Sequence, residues 1–95
     1  MDIKSWTLKN YYELEYFEQA FSLIDSYKHF LTKNKSLSDH FRERHMNFLK
    51  FSEELFKIKS RINVKPDAGI KKHLDNTVNI VHKEWLSEKI SEALT

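Results

Sequence analysis

Apolar residues recur at alternating steps of four and three along one stretch of the chain: Leu37, Phe41, Phe48, Phe51, Leu55, Ile58 and Ile62, with Arg44 as the single interruption. That spacing puts every side chain of the series on one stripe of an α-helix, and Leu49 and Phe56 widen the stripe. The pattern predicts one helix over residues 37–62, about 39 Å long at ~1.5 Å rise per residue. Arg44 is expected at the stripe's margin, its stem over apolar neighbours and its head in solvent, or paired with an acid from the first helix.

Residues 4–33 are also helical by pattern, but more than half the circumference is apolar. Phe17, Phe21, Ile24 and Leu31 form one row, and Tyr16, Ala20, Leu23, Tyr27 and Phe30 an adjacent one. The segment must therefore touch two neighbours or bend, and a break near Leu14 to Phe17 is the favoured reading. Lys33 to Ser36 reads as a turn, closed by Asn34 in a left-handed conformation, with Ser36 and Asp39 capping the next helix. Asn63 to Lys65 forms the second turn, ahead of Pro66.

A third helix is expected over 66–93, with Ile70, Leu74, Val78, Val81 and Trp85 on one face. Its Asn76–Val81 portion has poor helix propensity, and the competing strand is set aside because no other segment offers it a partner. The outcome is one all-α domain over residues 1–95. It is an antiparallel bundle of three long helical segments, the first broken near 14–17 into a helical-hairpin-repeat-like arrangement.

Composition agrees with that class: one Gly and one Pro among 95 residues leave few breaks for tight turns. A chain this short buries roughly 65% of its unfolded surface, enough for one modest core. The absence of Cys removes any disulfide staple and leans toward a reducing compartment. No apolar run approaches the ~20 residues of a membrane span, and the first residues lack a secretion signal's apolar core, so the expected setting is cytoplasmic, away from membranes.

The net charge of +2 is too small to imply a polyanionic partner by itself, but its distribution is uneven. Glu13, Glu15, Glu18 and Asp25 lie in a stretch from 13 to 27 without Lys or Arg. Six bases against Asp67 follow between Lys57 and His73.

Phe17, Ala20 and Ile24 sit where the second helix of a tetratricopeptide repeat carries an aromatic, a small and a large apolar residue, and Glu18-x-x-Phe21 recurs as Glu53-x-x-Phe56 at a similar period. Residues 11–27 thus resemble that family, which implies a paired-helix interaction unit. The chain departs from the pattern at Glu15, in the place of a turn glycine, and at Tyr27, in the place of a second small residue. The whole also resembles the helical C-terminal end of larger uncharacterised bacterial proteins. No functional residue transfers from either resemblance.

Candidate chemistry is sparse. Asp25 with His29, and His40 with Glu43, have the spacing of ligand pairs on either side of a turn, but carboxylates and histidines are common on solvated helix faces. Arg42 with His45 is the nearest approach to a helical nuclease pair and lacks further polar company, while His73 and His82 receive no role. No nucleophile elbow or phosphate-binding glycine loop is present. The reading is accordingly not an enzyme, with no catalytic, metal or cofactor residues. It is a helical protein-protein interaction or scaffolding module that binds another protein or itself. Trp6, Tyr11, Tyr12, Tyr16 and Phe30 are its candidate interface. The alternative is a basic bundle that contacts nucleic-acid phosphates through Lys57, Arg61, Lys65, Lys71 and Lys72.

Overall fold

In a computed structural model that describes residues 3–60 and 69–94, the chain is all-helical. The helices are α1 (Ile3–Leu14), α2 (Phe17–Lys33), α3 (Asp39–Ser60), α4 (Ile70–Asn76) and α5 (Lys83–Leu94). No strand occurs among the described residues. Arg61 to Ala68, which include the expected second turn and the last residue of the apolar series, lie outside them. Helix α2 packs on both α1 and α3, α3 packs on α5, and α5 on α4.

The break in the first segment falls at Glu15 and Tyr16, where a wide apolar circumference requires it. Glu15 takes a left-handed φ of 59°. The Glu15 amide donates to Tyr12 O and the Tyr16 amide to Tyr11 O, at 3.3 and 3.0 Å. These two bonds make a Schellman motif, which satisfies carbonyls that the end of α1 would otherwise orphan. A left-handed non-glycine residue costs ~1–2 kcal/mol, partly offset by glycine's greater freedom in the unfolded chain. Glu15→Gly is therefore expected to stabilise the fold by about 0.5–1 kcal/mol, read as a higher midpoint in thermal unfolding; a lower midpoint would contradict this account of the turn.

Three features of the expected layout are corrected. Helix α3 starts at Asp39, and its cap is Ser38, whose Oγ accepts from the Phe41 amide at 3.1 Å. Ser36 instead donates both its amide and its hydroxyl to Asn34 Oδ1. Asn34 stays in the extended region at φ −84°, so no left-handed residue closes α2. Arg42 closes it by donating to Leu31 O, Asn34 O and Leu37 O at 2.9, 3.1 and 3.3 Å, with Asp39 on its remaining arm.

The largest correction concerns the third segment, which divides into α4 and α5 within the stretch of poor helix propensity. Asn79, Ile80 and Val81 make tertiary contacts there that a continued helix would forgo, while Val78, expected on the apolar face, is almost fully exposed. Ile80 is buried, the Val81 amide donates to Arg44 O, Asn47 donates to Asn79 O, and Asn79 donates to His40 O and the Glu43 carboxylate. Lys83 reaches back to Asp75 O and Thr77 O, closing α4. Among the described residues five helices thus stand where three segments, the first of them broken, are expected.

The core runs along α3. Phe48, Leu49, Leu55 and Phe56 are fully buried with Leu8, Ala20, Leu31, Leu74, Leu86 and Ile90. Phe56 is the ring on which three helices meet, edge-on to Tyr12 (5.6 Å), Phe17 (6.3 Å) and Phe21 (6.2 Å). In the first half of α3 the buried face departs from the Phe41–Arg44 line: His45 is buried, Phe41 is exposed and stacks on it at 4.2 Å, and Arg44 is half-buried at the margin.

Candidate functional site: an aromatic cleft with basic residues

The half-open stretch of α3 helps form a cleft of about 720 Å³ lined by Ile3, Lys4, Tyr27, Phe30, Phe41, Arg44, His45, Val81 and His82. Each wall comes from a different element: the first turn of α1, the last turns of α2, the first turns of α3, and the α4–α5 loop. Ile3, Phe30 and Phe41 are all large apolar side chains left exposed. Lys4 Nζ stands 4.9 Å from the centroid of the Phe30 ring. No carboxylate lines the cleft among the described residues, whereas Lys4 and Arg44 do.

The floor is a polar pair within an apolar setting. The Tyr27 hydroxyl and His45 Nδ1 are hydrogen-bonded at 2.6 Å, both residues are buried, and Phe41 covers the imidazole. Tyr27 and His45 are eighteen residues apart and on different helices, so neither spacing nor periodicity pairs them. Tyr27 and His45 together supply this floor.

His82, to which the sequence assigns no role, anchors the loop wall. Its φ of 56° is left-handed, and its ring lies between Ser5 Oγ at Nε2 (3.0 Å) and Lys9 Nζ at Nδ1 (2.9 Å). The arrangement has the outline of a serine–histidine triad with its polarity reversed. An ammonium only donates, so Nδ1 accepts from Lys9 and the ring proton of the neutral imidazole sits on Nε2, facing Ser5. A general base for Ser5 needs a lone pair there and a carboxylate, not a cation, behind it. Ser5 is also fully buried, out of reach of a substrate. The group fastens the α4–α5 loop to α1.

The candidate interface residues disperse. Tyr12 is buried, edge-on to Phe56 and Trp85, and belongs to the core. Tyr11 is half-buried against Tyr16. Trp6 (56% exposed), Tyr16 (47%) and Phe30 (41%) remain at the surface, and only Phe30 lines the cleft. Ile3, Phe41, Arg44 and Val81 complete it, and the signal that points to them is weak: Phe41 and Arg44 are where the apolar series of α3 falters.

Three of the candidate phosphate contacts, Lys57, Lys71 and Lys72, lie among the described residues. Lys57 pairs with Glu54 at 3.9 Å, and Lys71 donates to Ser87 O and Ser91 Oγ of α5. Lys72 is exposed on α4, and Arg61 and Lys65 lie outside the described residues. Asp25 and His29 share the polar outer side of α2, while Glu43 accepts from Asn79. Among the described residues no group of three or more His, Asp or Glu side chains is placed to hold a metal.

Behind the cleft, the far end of α1 is fixed to α5. Lys89 pairs with Glu13 at 2.9 Å, and its Nζ lies 6.0 Å from the Tyr12 ring centroid. The hydrogen bond with Glu13 raises the Lys89 pKa, and burial raises that of the Tyr12 phenol, against the nearby Lys89 charge. Both groups hold their protons longer folded than unfolded. Their contribution is fully present below the unfolded values near 10 and is lost as pH rises through the folded ones. Thermal midpoints are expected to fall as pH rises above about 10, and Tyr12→Phe should make that fall shallower. A flat profile would contradict the assignment.

The described residues therefore form an all-helical fold with an open aromatic cleft. Comparison with protein-family models, curated proteins and solved structures finds no match. No described helix is long and apolar enough to cross a membrane.

Proposed function

We propose that the protein is a non-catalytic helical interaction module that docks a partner protein in the cleft between the first turn of α1, the α2–α3 turn and the α4–α5 loop. One observation carries the reading: Ile3, Phe30, Phe41 and Val81, from four separate elements, converge on a concave surface bordered by Lys4 and Arg44. Large apolar side chains held at a concave surface mark interaction sites, and the two cations at its border favour a partner that brings an anionic group. The walls are built to persist, since Ser5 and Lys9 hold the loop and Arg42 holds the turn. The α1–α2 pair further supports a repeat-like scaffold, with left-handed Glu15 standing where the tetratricopeptide pattern has a glycine.

The small apolar anion 8-anilinonaphthalene-1-sulfonate combines the two chemistries the cleft presents. Its fluorescence is expected to rise saturably with the folded protein. The double variant Phe30→Ser, Arg44→Glu should weaken its binding by about tenfold or more, whereas Trp6→Ser should not. No binding to the wild type, or equal binding to the cleft variant, would overturn the reading.

A further inference from the structure

We draw no further inference here: the strongest candidate, the apolar cleft where the first turn of α1, the α2–α3 turn and the α4–α5 loop meet, belongs to the site already described, and nothing in the structure shows what covers it.

Discussion

Phe56→Ala is expected to destabilise the protein by about 3–5 kcal/mol, the usual loss when a buried aromatic is truncated. Phe56 is fully buried and its ring is edge-on to rings from α1 and from α2, so the cavity opens where three helices share one packing surface. Relaxation is limited there, because Tyr12 is held by Trp85 as well and Phe17 opens α2 directly after the turn. With domains of this size stable by only ~5–15 kcal/mol, the variant should unfold at much lower denaturant. Phe56→Leu should recover most of the loss by refilling volume without restoring the ring contacts. Chemical denaturation measures both, and a midpoint for the alanine variant close to that of the wild type would refute the place given to Phe56.

Arg42→Ala should cost about 2 kcal/mol although its side chain is partly exposed. One guanidinium serves Leu31 O at the end of α2 and Asn34 O and Leu37 O in the following turn, and charged donors to such carbonyls contribute ~1.5–3 kcal/mol. Arg42→Lys is expected to rescue little, because a single ammonium cannot span acceptors that the planar fork reaches together. Asp39→Ala should cost far less, since its carboxylate is fully exposed at the pair with Arg42. Full rescue by lysine would show that charge near the helix end, and not the geometry of the fork, holds the turn. The same turn carries Phe30 and Phe41 on its flanks, so loosening it should also weaken probe binding in the cleft.

These two residues mark how much was legible in the chain. Phe56 belongs to the apolar periodicity of α3, and a stripe of that length could not be satisfied except by helices packed along it. Arg42 reads in sequence as half of a solvated pair with His45, the nearest approach to a helical nuclease pair. In the structure the two serve unrelated ends: Arg42 closes a helix, and His45 meets Tyr27 under the cleft. One helical turn separates them, yet the direction of each side chain follows from neighbours far off in sequence.

The excess apolar circumference of residues 4–33 made a break near Leu14–Phe17 legible. The Asn76–Val81 stretch was recognisable as poor helix, but its outcome was not. Asn79 has partners in His40 and Glu43, nearly forty residues earlier, and His82 is fixed by Ser5, seventy-seven residues earlier.

The amino-acid sequence by itself determined that this protein is helical, that α3 is its spine and that α1 and α2 separate, because those properties follow from local periodicity and propensity. Only the tertiary structure decided where the third segment divides and which aromatic residues remain outside. Tyr12 and Phe30 look alike as aromatic positions of one amphipathic segment, but Tyr12 meets Phe56 and Trp85 and goes inside, whereas Phe30 faces the cleft. The physical reason is that burial belongs to the packed assembly of helices, and the cleft lies where α3's apolar stripe is interrupted at Arg44 and the α4–α5 loop, not a helix, closes over it.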